Sequence, residues 1–262
     1  GSIATGFESE LLPRLWISAL MLTGWAIPWL GVDGIPYTIT WSLSVEEFAY
    51  VVLGLSAWRS HGALRAALAI FLVVALLTRF LVVGGQFFPL DRLYFFVPAR
   101  LDAIAFGALG AFGAFAWLGR LRGGAWATGL VTVALVIAFS NLRIDGLFLP
   151  LAGYALFGLA CAAWVATLAH TGAGTGAAWV APLAAFGKVS YFLYLFHLFF
   201  IEAVSRLSVL LGWGVPGFWT GMLLSASACY LAAWISWQVF EYPLIRRAAA
   251  RRVATQVRSA MP

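Results

Sequence analysis

Charge is what this chain has least of: 16 basic and 10 acidic side chains are spread over 262 residues. That is 10% of the sequence, against roughly 25% in a soluble domain, and it excludes an ordinary soluble globular enzyme. Cysteine is nearly missing too. Cys161 and Cys229 each sit inside an apolar run, so no disulfide framework and no paired thiol spacing for a metal exists, and no metal is expected. Long polar stretches are absent, which excludes a disordered chain. No internal repeat and no domain-separating linker is visible. What is abundant is apolar: 63% of the residues are hydrophobic, with 27 Gly, 13 Trp and 21 Phe. The expected fold class is therefore all-α, a polytopic transmembrane helical bundle.

Breaks at Gly, Pro and charged residues delimit eight expected spans, near residues 15–31, 41–58, 62–83, 93–118, 123–140, 146–169, 187–207 and 216–240. Each can cross a hydrocarbon core of about 30 Å. They lack the alternation of barrel strands, and backbone facing lipid must satisfy its own hydrogen bonds, so helices are expected. Residues 1–245 form one transmembrane domain in this reading, and residues 246–262 a basic cytoplasmic tail. Arg14, Arg59, Arg65, Arg120, Arg122, Lys188 and the arginines from Arg246 onward fall on one side, with only Arg92 and Arg143 in loops opposite. The positive-inside rule then puts both termini in the cytoplasm and the linkers around Asp33, Asp91, Asp145 and Gly212 outside. The excess positive charge is thus a topology signal, and no nucleic-acid partner is implied; the bilayer is the expected partner.

Two glycine-rich pieces, Thr171 to Gly176 and the series Gly107, Gly110, Gly113, follow no strand of a βαβ unit, so a nucleotide fingerprint is a poor reading. The first is expected to be a cytoplasmic loop; the second, to let neighbouring helices approach closely.

Few ionisable residues remain within the spans, and each costs about 2.5–3.5 kcal/mol at the bilayer centre even on lenient scales. Arg79 and Arg206, near outer ends, are expected to snorkel. In Trp41-Ser-Leu-Ser-Val-Glu46, helical spacing puts Ser42, Glu46 and Tyr50 on one face; both a site around Glu46 and an ordinary interhelical hydrogen bond fit. Arg100 and Asp102 are two apart and diverge by about 200° on a helix, so each needs another partner. Arg100 neutralising Glu46 while Asp102 meets a donor on another helix is one arrangement; a purely structural ion pair is another. Ser190, Tyr194 and His197 make a second polar stripe, with His197 either buried and hydrogen-bonded or active in proton transfer or binding. Glu241-Tyr-Pro243 closes the last span, where a structural pairing is expected.

Trp41-Ser-Leu-Ser-Val-Glu46, Arg100-Leu-Asp102 with Gly107, Gly187-Lys-Val-Ser-Tyr191 with Tyr194-Leu-Phe-His197, and Phe240-Glu-Tyr-Pro243 together resemble, in order and spacing, the integral-membrane acyltransferase-3 family. The resemblance runs from about Trp16 to Arg247, and its first element is the most specific. It implies transfer of an acyl group, commonly acetyl, from cytoplasmic acyl-CoA to a hydroxyl of a carbohydrate or glycolipid, in a bacterial inner membrane. Glu46, Arg100, Asp102 and His197 would then be catalytic, and Ser42, Tyr50, Ser190 and Tyr194 would contact substrate. The family normally opens with a span bearing an arginine and a histidine, and that histidine is the implied base. The chain starts with Gly1-Ser2, after that span; His61, His170 and His197 do not fill the position. The expectation is a fragment, natural or cut, that is inactive alone. Two other readings stay open on the residues: a transporter or flippase using the Glu46, Arg100, His197 belt, and a structural membrane subunit completed by another chain. Acyl length, acceptor identity and oligomeric state are not legible.

Overall fold

The computed structural model describes residues 12–140, 146–171 and 180–247. The loop 172–176, Arg143 and Asp145, and the tail beyond Arg247 lie outside the described residues. Every element among the described residues is a helix or a helical turn. The chain divides into two compact units, residues 1–173 and residues 174–262.

Four helices are long and apolar enough to cross a membrane: His61–Gly85, Leu149–Thr171, Ala184–Leu210 and Phe218–Arg247. Apolar side chains stand exposed along them; Leu210 and Phe218 are 82% and 75% exposed. Such a surface is stable only against lipid or further protein. This is a membrane protein.

In the first unit the α-helices are α1 (Leu15–Ala19), α2 (Thr23–Leu30), α3 (Trp41–Arg59), α4 (His61–Gly85), α5 (Leu101–Ala111), α6 (Ala116–Gly119), α7 (Gly124–Ser140) and α8 (Tyr154–Thr171). α3, of 19 residues, and α7, of 17, coincide with the expected segments 41–58 and 123–140 but are not among those four helices. The remaining two, 15–31 and 93–118, are interrupted. In the first, Met21 takes a left-handed φ of 55° and separates α1 from α2, and Gly31, at φ 78°, ends α2. In the second, two 3₁₀ turns, Leu90–Phe95 and Val97–Arg100, precede α5. Phe96 is extended between them, at φ −73° and ψ 121°, Pro98 supplies no N–H, and regular α-helix starts only at Leu101.

The core of this unit joins Val45 and Ala49 of α3, Leu68 and Phe71 of α4, and Val97, Leu101 and Ala105 around the start of α5. Hydroxyl bonds fix α2 to the entry of α3. The Thr23 and Thr40 hydroxyls lie 2.6 Å apart, and the Gly24 N–H donates to Ser44 Oγ at 3.0 Å. A methyl group on Gly24 would stand 2.8 Å from Val97 Cγ2 and 3.0 Å from the Phe95 and Trp41 carbonyl oxygens. Backbone cannot yield cheaply there, so Gly24→Ala is expected to destabilise the fold by about 1–3 kcal/mol, as overpacking does. Thermal unfolding in detergent, followed by tryptophan fluorescence, checks this.

In the second unit α9 (Val180–Leu210) packs on α10 (Phe218–Ser236), which continues through a π turn at Trp237–Glu241. Their contact buries Val189, Ser225, Cys229 and Ala233 and sets the Phe186 and Tyr230 rings 4.8 Å apart.

Candidate functional site

The interruption before α5 creates a polar problem inside an apolar unit. A broken helix leaves carbonyls without an intrahelical partner, and at this depth water is not freely available to satisfy them. Arg79 of α4 solves it: Nε and Nη2 donate to the Ala99 carbonyl at 3.0 and 2.6 Å. The same Nη2 meets Asp102 Oδ2 at 2.7 Å, while Asp102 Oδ1 accepts the Ala103 N–H at 2.9 Å. Arg79 is 1% exposed. The expected snorkelling of Arg79 is corrected here, because the broken backbone and Asp102 offer it better partners inside than the interface offers outside.

Asp102 is thereby committed to Arg79, and Arg100 is left to other company. Its guanidinium carbon lies 5.0 Å from the Tyr94 ring centre and 4.9 Å from that of Tyr154. The two rings approach edge to face at 5.4 Å. Aromatic faces stabilise a guanidinium without consuming its N–H donors. Arg100 Nη1 and the Tyr154 hydroxyl are buried with no hydrogen-bond partner in the structure as described. Of two buried cations and one carboxylate, one positive charge remains after Arg79 and Asp102 pair.

Two clefts meet at this arginine, and Arg100 and Phe157 line both. One, of about 720 Å³, runs along Gly107, Gly110 and Gly113 to His170. The other, of about 620 Å³, is walled by Tyr94, Phe95, Phe139 and Tyr154 and edged by Asp91 and Ser140. The glycine series therefore does more than bring helices together: a Cβ at Gly107 or Gly113 would meet nothing within 4 Å. Only Gly110 approaches α8, its Cβ position 3.4 Å from Ala162 O and from Ala166 Cβ.

The other expected site residues lie elsewhere. Glu46 is half-buried on α3 and accepts a hydrogen bond from the exposed Tyr50 hydroxyl at 3.3 Å. Neither Glu46, Ser42 nor Tyr50 lines the two clefts at Arg100, and Arg100 is held by tyrosine rings where the sequence offered Glu46 as its neutralising partner. In the second unit, exposed Ser190 donates to the Gly187 carbonyl at 2.9 Å. His197 Nδ1 is 2.8 Å from the Tyr194 carbonyl; a carbonyl only accepts, so that nitrogen carries the proton and Nε2 is left as the acceptor of the neutral ring. His197 lines an apolar cleft of about 500 Å³ between α9 and α10. Arg206 is exposed and paired with Glu202 one turn away, and Glu241 accepts from Ser236 at 3.1 Å.

Tyr94 and Tyr154 are not among the sequence candidates, whose tyrosines, Tyr50 and Tyr194, each share a helical stripe with an ionisable residue. The available signal was a tyrosine hydroxyl inside an apolar span, which needs a partner as surely as a charge does.

No family model and no solved structure matches the chain. A stretch of 67 residues is 37% identical to the exopolysaccharide production protein ExoZ of Rhizobium meliloti (strain 1021). That stretch covers 26% of this chain and about a fifth, 20%, of the relative's length.

Proposed function

We propose that the chain carries the reaction centre of a membrane acyltransferase that moves an acyl group, of the acetyl class, from acyl-CoA to a hydroxyl of a carbohydrate or glycoconjugate. The observation that carries this reading is the buried Arg100, with an uncommitted N–H, where two clefts meet. The motif resemblance and the partial likeness to an exopolysaccharide production protein support it. In this reading the chain spans a bacterial inner membrane eight times, with both termini in the cytoplasm, and the interrupted segment 93–118 lines the site as broken helices do.

Acyl transfer needs a donor aimed at the oxygen on which negative charge develops, and a base for the acceptor proton. Arg100 Nη1 supplies the first. As the acceptor oxygen attacks the thioester carbon, the carbonyl electron pair moves onto oxygen beside the guanidinium. Collapse expels the coenzyme A thiolate, and the acceptor proton ends on sulfur. The base is a separate group. Asp102 acts through Arg79 on the backbone that bears Arg100 and is a positioning residue. Glu46 keeps an orienting or electrostatic part, and His197, with Ser190 and Tyr194, a part in substrate contact. Ser42 and Tyr50 stay with Glu46.

Membranes containing the chain together with a segment that bears the implied histidine base, given labelled acetyl-CoA and envelope glycans, are expected to form alkali-labile O-acetyl sugars, and membranes with the chain alone are expected to form none. The same two-cleft arrangement around a buried cation also suits a transporter. Uptake of an unmodified polar solute that depends on Arg100, with no acetylated product, would establish that reading and end this one.

A further inference from the structure

The glycine series acquires a use once its surroundings are known. The cleft along α5 and α8 is lined mostly by glycine and alanine, among them Ala103, Gly107, Gly110, Gly158, Ala162 and Ala166, with Phe157, Cys161 and Val165 the larger side chains and hardly a polar one between its two ends. At the deep end stands Arg100, with the buried, unpartnered Nη1. At the other is His170, packed so closely on Gly119 that a Cβ there would fall 2.6 Å from its ring; exposed Arg120 follows directly. The 11 residues of α5 rise about 16 Å.

We infer that this cleft is a channel for the linear acyl-pantetheine arm of the thioester donor, with the acyl carbonyl at Arg100 and the coenzyme phosphates near His170, Arg120 and Arg122. The inference rests on the acyltransferase reading and deepens it. The arm, equivalent to four or five extended residues, reaches roughly 15 Å, which matches the length of α5. A large side chain at Gly107, on the glycine side of the cleft, would narrow the passage left for an unbranched chain. A lipid tail shares the slender shape, but a lipid tail leaves Arg100 unsatisfied, whereas a thioester carbonyl oxygen accepts from it. Gly107 then sets the bore: its missing side chain is space that the donor uses.

Cys161 lines the same cleft and is a free thiol, so the unaltered wall carries its own reporter. In a Cys229→Ser background in native membranes, saturating acetyl-CoA is expected to slow alkylation of Cys161 by N-ethylmaleimide at least tenfold. Adenosine 3′,5′-bisphosphate, which has the phosphates and no arm, is expected to leave it unchanged. Gly107→Leu, whose Cβ meets no atom, is expected to fold normally, abolish the acetyl-CoA protection and lower transfer at least a hundredfold. Gly54→Leu, also in open space, leaves transfer as it was. Equal protection by the bisphosphate overturns the channel, as does a Cys161 that ignores acetyl-CoA and reacts only after lipid is stripped away. Normal transfer in Gly107→Leu overturns the channel and leaves the reaction standing; protection without any transfer in any preparation keeps the channel and removes the reaction.

Discussion

Asp102→Ala is expected to lower the stability of the first unit by about 3–5 kcal/mol, the cost of leaving one member of a buried ion pair without the other. Arg79, 1% exposed, would keep its bonds to Ala99 but lose the only carboxylate within its hydrogen bonds as described. Unfolding of detergent-solubilised protein by heat or by sodium dodecyl sulfate measures the loss. Asp102→Asn should lie between, since an amide oxygen still accepts from the Ala103 N–H and from Arg79. The double change Arg79→Met with Asp102→Leu is expected to recover much of the loss, because two apolar side chains replace two desolvated charges. It should not recover all of it: the Ala99 carbonyl would then lack the two donors that Arg79 supplies. A strictly additive double mutant would show that the pair is not coupled and that Arg79 does not hold the turn before α5.

Arg100→Met is expected to cut acyl transfer about 10²–10³-fold, the range seen when a single donor to a developing oxyanion is removed. Stability should move the other way or not at all. Arg100 buries a cation whose Nη1 has no acceptor, a cost that stacking on Tyr94 and Tyr154 offsets only in part. Met removes that cost. The signature is therefore a protein at least as heat-stable as the parent with its transfer lost, the pattern of a residue kept for function at the expense of stability. Arg100→Lys is expected to restore little, since an ammonium on a flexible stem has neither the planar fork nor the preference for lying between aromatic rings. Full transfer in Arg100→Met protein would remove the arginine from the reaction centre.

How far the sequence carried differs between the fold and the site. The long apolar helices α4, α8, α9 and α10 were visible because lipid imposes a length and a composition that can be read one residue at a time. The breaks in 15–31 and 93–118 were not: the first falls at Met21, an ordinary apolar residue that nothing in the composition marks, and the second surrounds Pro98 in a segment whose mean hydropathy stays high. Arg79 was misplaced for a related reason. Its position near a helix end suggested water, whereas its partners, Ala99 and Asp102, are 20 and 23 residues away along the chain.

The sequence by itself determined that this chain is helical, lives in a membrane, and holds its few charges at nameable positions, because the bilayer acts on composition and spacing alone. Only the tertiary structure decided that, among the described residues, Asp102 pairs with Arg79 and not with Arg100. Asp102 could have taken Arg79 or another donor, and Arg100 could have taken Glu46. Partner choice is a short-range competition, settled by which helix is broken and which side chain that break brings within 3 Å. That competition left Arg100 between two tyrosines at the junction of two clefts.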